Sequence, residues 1–177
     1  LTPNDVYIVP GNHDMERCTP LTAVINDVLN QYSTPNGQID HDALDYISGR
    51  RDAFKRLYRE VCGRDEPGWH YCETRDDFNI ICLNTAILCG QDAEDGNLIV
   101  GSALLNQLAE TVDKSKPSIV LAHHDFDSLR LEEQQKLEIT LKELGATLYL
   151  CGHKHAALCR LQNTYRTDKD LRVFLCG

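Results

Sequence analysis

The sequence has no apolar run approaching the roughly 20 residues that a bilayer span requires, which excludes a transmembrane helix. Glycine and proline are sparse, 11 and 6 in 177 residues, while 42% of the residues are hydrophobic, so a disordered chain is excluded as well. Positive charge is in short supply: 18 Lys and Arg stand against 27 Asp and Glu, a net charge of −9. Such a chain lacks the basic face that docks on nucleic acid, so nucleic acid is not an expected partner. A small phosphate-bearing molecule held through a local metal is compatible with it. There is no Cys-x-x-Cys pair, no phosphate-binding G-x-x-x-x-G-K-[ST] loop, no G-x-S-x-G elbow, no H-E-x-x-H and no G-x-G-x-x-G. No repeat, low-complexity stretch or linker divides the chain, and one domain over residues 1–177 is the expectation.

Eight cysteines are present, but Cys72, Cys82, Cys151 and Cys176 fall in or beside apolar, strand-like runs, where a free thiol serves as a small hydrophobe. A core of this size needs no staples, so reduced thiols and a cytoplasmic location are expected. Strand-like runs at 6–10 (VYIVP), 69–74, 78–84, 118–122, 147–151 and 171–176 alternate with helical patterns. The helices are expected from Pro20 to Tyr32, from Asp40 to near Gly63 with Leu44, Ile47, Phe54, Tyr58 and Val61 on one face, from a Ser102 cap onward, and over 131–144. Arg75-Asp76-Asp77 reads as the turn of a hairpin, and Gly145 as a helix stop. The alternation predicts an α/β fold.

Five of the seven histidines fall in three clusters, each directly after a short apolar strand: VYIVP-Gly11-Asn12-His13-Asp14, SIVLA-His123-His124-Asp125 and TLYLC-Gly152-His153-Lys154-His155. In α/β sheets the carboxyl ends of strands share one rim, where ligands bind. Imidazoles converging there beside an amide oxygen suit a borderline divalent cation such as Mn, Fe or Zn. Gly11 and Gly152 are expected to turn the chain back toward the rim. His153 and His155, two apart on an extended turn, project to the same side. His41 and His70 are read as structural. Asp125-x-Asp127 echoes the nucleophile motif of haloacid-dehalogenase phosphatases, but it stands two residues beyond the strand and lacks that motif's Thr or Val.

The Gly11-Asn12-His13-Asp14, His123-His124 and Gly152-His153-Lys154-His155 blocks resemble, in their order, the last three blocks of the calcineurin-like metallophosphoesterase family. The segments FNIICLN, GSALLNQLAETV and KELGATLYLCGHKH resemble the elements between them. The resemblance implies a two-sheet β-sandwich flanked by helices (αββα) holding two divalent metal ions (Mn, Fe or Zn) about 3.5–4 Å apart. It implies that Asn12, His123 and His153 bind one metal and His155 the other. His13 would stabilise the transferring phosphoryl group or protonate the leaving oxygen. Asp14 would orient a ring, and His124 is the less expected ligand of its pair. The implied activity is hydrolysis of phosphate monoesters or diesters by a hydroxide that the two metals activate, the substrate being a small phosphate ester or a phosphorylated molecule.

The family's first two blocks, an Asp-x-His and a Gly-Asp that supply most carboxylate ligands, have no counterpart here. The chain is therefore expected to be a segment of a longer protein, truncated at both ends and weakly active or inactive by itself. It is also expected to expose flanks of the 6–10 strand to pairing with another copy. Two other readings accompany this one: a family member that has lost catalysis and serves as a binding or regulatory module, and a nuclease, which would need a basic groove.

Overall fold

The computed structural model describes residues 2–16, 25, 41–90, 95–162 and 170–176. The short β-branched and aliphatic runs become strands β1 (His70–Thr74), β2 (Asn79–Leu83), β3 (Ser118–Leu121), β4 (Ala146–Cys151), β5 (Leu158–Gln162) and β6 (Leu171–Leu175). They join in one sheet of order β1-β2-β3-β4-β6-β5. Neighbours from β2 through β3 and β4 to β6 are parallel, and β1 and β5 add antiparallel edges. The α/β class with flanking helices is as the sequence indicates. The division into two sheets is not seen among the described residues, whose six strands form one.

The helices are α1 (His41–Ser48), α2 (Asp52–Cys62), α3 (Ser102–Thr111) and α4 (Leu131–Glu143). The single helix expected from Asp40 to Gly63 is interrupted by a 3-10 turn, Gly49–Arg51, where Arg50 is buried. Its guanidinium donates to the carbonyls of Glu16 (2.9 Å), Ile87 (3.2 Å) and Cys89. On α2 the buried stripe is Phe54, Tyr58 and Cys62, spaced by four, and Val61 faces outward instead. Ser102 is the first residue of α3 and not its cap; Gly101 holds that place. Beyond α4, Gly145 has φ 69°, a left-handed conformation, and a β-carbon there would also lie 3.2 Å from the Lys116 carbonyl, so glycine is required twice over. The expected helix from Pro20 and the loop 33–37 lie outside the described residues, except that Ile25 is helical and buried.

One face of the sheet meets α3 and α4: Ile81, Val120, Tyr149 and Val173 pack with Leu105, Leu108, Leu137 and Leu141. The other face meets α2, with Tyr71 and Cys82 against Phe54, Tyr58 and Cys62. Residues 6–10, expected as a strand, are extended but outside the sheet. Val6, Tyr7, Ile8 and Val9 are half-buried on this second face, tied down where the Tyr71 hydroxyl donates to the Ile8 carbonyl at 3.1 Å. An apolar run reports burial but not pairing. Strand β5, by contrast, escaped the sequence reading: it is an exposed edge with no clean alternation. No helix among the described residues is long and apolar enough to cross a membrane. The seven described cysteines are free thiols; burial pushes Cys82 and Cys151 up to about 12.

Candidate metal centre

Parallel pairing brings the carboxyl ends of β2, β3 and β4 to one rim, from which the His123-His124 and Gly152-His153-Lys154-His155 blocks leave, while the Gly11-Asn12-His13-Asp14 block follows the segment 6–10, which lies outside the sheet. The Gly11 carbonyl accepts from the Asp14 N–H (3.1 Å), and the Gly11 N–H donates to the Asp14 carboxylate (2.8 Å), closing a 3-10 turn, Asn12–Asp14. Asp14 thus fixes its own turn and makes no hydrogen bond to a ring among the described residues; its charge still acts on His123. Gly11 has φ −100°, which any residue adopts, so its need is space: a β-carbon would come within 2.9 Å of Cε1 and Nδ1 of His123. The β3 and β4 loops are locked together where the Gly152 N–H donates to the His123 carbonyl at 3.0 Å.

The result is a cluster. Nε2 of His123 lies 3.1 Å from Oδ1 of Asn12 and 3.2 Å from Nδ1 of His153. Two donors bound about 2.1 Å from one cation sit about 3.0–3.4 Å apart, so this spacing fits a shared ion of the zinc or manganese type. His124 stands against the same group, with ring centroids 4.6 Å from His123 and 4.5 Å from His153. One ring nitrogen from each of His123, His124 and His153 lies within 4.8 Å of the other two, a grouping that could hold a metal ion.

His124 is set apart by its bonds. The Thr85 hydroxyl accepts from the His124 backbone N–H at 3.1 Å and is hydrogen-bonded to the ring at Nδ1, 2.9 Å away. Nε2 faces the Cys89 sulfur at 4.0 Å. Both nitrogens are engaged by the protein, consistent with a support for the rings beside it. Burial, then the neighbouring His123 and His153, push His124 down to about 3. His123 is lowered as well, by burial first and next by His153. Neutral imidazoles are the form that binds metal.

The turn after β4 departs from expectation. Its left-handed backbone falls on His153 (φ 70°) and His155 (φ 49°), and Gly152 is not among the residues of positive φ. Left-handed non-glycine residues cost roughly 1–2 kcal/mol each and persist where surroundings impose them. His13 and His155 are exposed, close enough for their charges to act on His123, and make no hydrogen bond to the three clustered donors. His70 is structural, as read: Nε2 bonds the Val100 carbonyl at 2.7 Å and Nδ1 accepts from the Asn84 N–H at 3.1 Å. Sequence reasoning missed Thr85, and it gave no role to Lys154, whose side chain reaches Asp125 at 3.0 Å. A hydroxyl one residue past the β2 end was the available signal for Thr85.

Fold and site together describe an α/β protein with a histidine cluster suited to a divalent metal at the rim of its sheet. The model of the calcineurin-like phosphoesterase family matches residues 1–157, and the chain belongs to that family. It is similar to a Bacillus subtilis (strain 168) protein, YydB, described as an uncharacterized metallophosphoesterase-like protein, with 26% identity over 168 residues. That match covers 88% of this chain and 34% of the relative, so the chain spans about a third of that relative's length. The family's activity is metal-dependent hydrolysis of phosphoesters.

Proposed function

We propose that this chain carries the histidine half of a phosphoesterase centre, in which Asn12, His123 and His153 hold one divalent cation and His155 contributes to a second. The observation that carries this reading is the meeting of Oδ1 of Asn12, Nε2 of His123 and Nδ1 of His153 within 3.1–3.2 Å links, from three separate loops. Divalent cations supply Lewis acidity toward phosphate oxygens and make water acidic enough to react near neutral pH. The protein's own part is to present neutral rings, hold them against Gly11 and Thr85, and place His13 at the open side. There His13 meets the charge that develops on the phosphoryl group or gives a proton to the leaving oxygen. Among the described residues no carboxylate joins the three donors, which supports weak turnover for this stretch taken alone. Small phosphate monoesters or diesters are the substrate class, and the acidic composition does not favour nucleic acid.

The test is hydrolysis of p-nitrophenyl phosphate and bis(p-nitrophenyl) phosphate with Mn²⁺. His13→Ala is expected to lower turnover by roughly a hundredfold, the scale of a lost acid–base group, and to leave Mn²⁺ affinity within about twofold. Loss of Mn²⁺ binding in that variant contradicts the role given to His13, and undiminished hydrolysis in excess chelator contradicts the metal.

A further inference from the structure

Asp125 follows the His123-His124 pair, yet its carboxylate turns away from the rings. Its side chain is only 3% exposed. One oxygen, Oδ1, accepts from the Ser128 N–H (3.3 Å) and hydroxyl (2.9 Å), which closes the turn after β3. The other, Oδ2, lies 3.0 Å from the Lys154 ammonium and 3.8 Å from the Arg160 guanidinium. Arg160, on β5, also donates to Asp127 at 2.7 Å. Lys154 is the residue between the two left-handed histidines, and its N–H donates to the Gly152 carbonyl at 2.9 Å.

We propose that the Asp125–Lys154 ion pair is a latch that holds the Gly152-His153-Lys154-His155 turn in its left-handed form, making Asp125 a positioning residue for the metal-binding histidines. The proposal rests on the reading of the cluster as a metal centre. Pulling Lys154 down onto the β3 loop leaves His153 directed at His123, and the same carboxylate holds the loop on which His123 stands. One buried group therefore joins the Lys154 side chain to the loop that carries His123, beside the Gly152–His123 backbone bond that already links the two loops. Burial works against the Lys154 ammonium, but the hydrogen bond and charge of Asp125 outweigh it and raise its pKa. This also gives a place to the Asp125-x-Asp127 motif: its two carboxylates bind cations of the protein and are not nucleophiles.

The test compares wild type with Lys154→Met, Asp125→Asn, the double variant and Lys154→Arg, titrating each with Zn²⁺ alone by calorimetry. Asparagine keeps an oxygen for Ser128 while losing the charge. Each single variant is expected to weaken Zn²⁺ binding about tenfold, as removal of an outer partner does, and the double variant by the same tenfold. Lys154→Arg is expected to stay within about twofold of wild type, and all thermal midpoints to stay close together. Wild-type affinity in Lys154→Met, losses that multiply in the double variant, or a thermal midpoint that falls in step with affinity each overturn the latch. A second readout needs no metal. The imidazole ¹⁵N signals of His123 and His153 in the metal-free protein should move in Lys154→Met and return in Lys154→Arg. Unmoved signals overturn the latch, whereas moved signals in a wild type that takes up no Zn²⁺ sustain it and overturn the metal reading alone.

Discussion

Nε2 of His123 and Nδ1 of His153 lie 3.2 Å apart although 30 positions separate the two residues in the chain. Their meeting follows from parallel pairing of β3 with β4, which levels the two strand ends, and from the hydrogen bond of the Gly152 N–H to the His123 carbonyl.

Gly11 is the wall behind this pair. A methyl group at that position would press on the His123 ring from 2.9 Å, and the backbone itself would tolerate alanine. Gly11→Ala is therefore expected to displace the ring, lowering divalent-cation affinity by roughly tenfold or more and stability by about 1–3 kcal/mol. Calorimetric titration with Mn²⁺ and a denaturation curve measure both; unchanged affinity contradicts the packing argument.

Thr85 satisfies His124 at two points, ring and backbone. Thr85→Val keeps the shape and strands both groups in a buried place, so a loss of about 1–3 kcal/mol is expected in urea unfolding. Thr85→Ser should retain most of the stability. Equal midpoints for the Val variant and wild type would show that the hydroxyl is not needed.

His70 gives a pH dependence. Desolvation of its ring, the largest influence, pulls its pKa from an ordinary 6.5 to about 4, and its two bonds require a neutral ring with the proton on Nε2. Between those values the unfolded chain binds a proton that the folded one refuses. The stability from this group is complete above about pH 6.5 and is lost as pH falls toward 4, at about 1.4 kcal/mol per pH unit. Unfolding at pH 7.5 and 5.5 should show the difference, with His124 adding to it, and His70→Gln should flatten the slope. A slope equal in wild type and variant refutes the assignment.

Much of the candidate site was legible because each polar block begins where a short apolar run ends, so the apolar pattern and the polar residues announce each other. Position marked the three clusters, and the family resemblance singled out Asn12, His123 and His153 within them. Other features depend on contacts between distant segments. Residues 6–10 carry a strand's apolar content but pair with no strand among the described residues, and β5 pairs with β6 while showing Leu158 and Leu161 to the outside. The left-handed backbone of His153 and His155 could not be read where glycine stood beside them, since an ion pair across two loops, not the local residue type, accompanies it. The interruption at Gly49–Arg51 likewise follows from where Arg50 finds carbonyls, which only the assembled fold decides.

The central claim is that Asn12, His123 and His153 share one cation. X-ray absorption at the zinc edge, on protein titrated with one equivalent of Zn²⁺, tests it most directly. Two imidazole nitrogens at about 2.0–2.1 Å are expected, with oxygen completing the shell, falling to one imidazole in His153→Ala. A shell of oxygen alone, or one that His153→Ala leaves unchanged, contradicts the account.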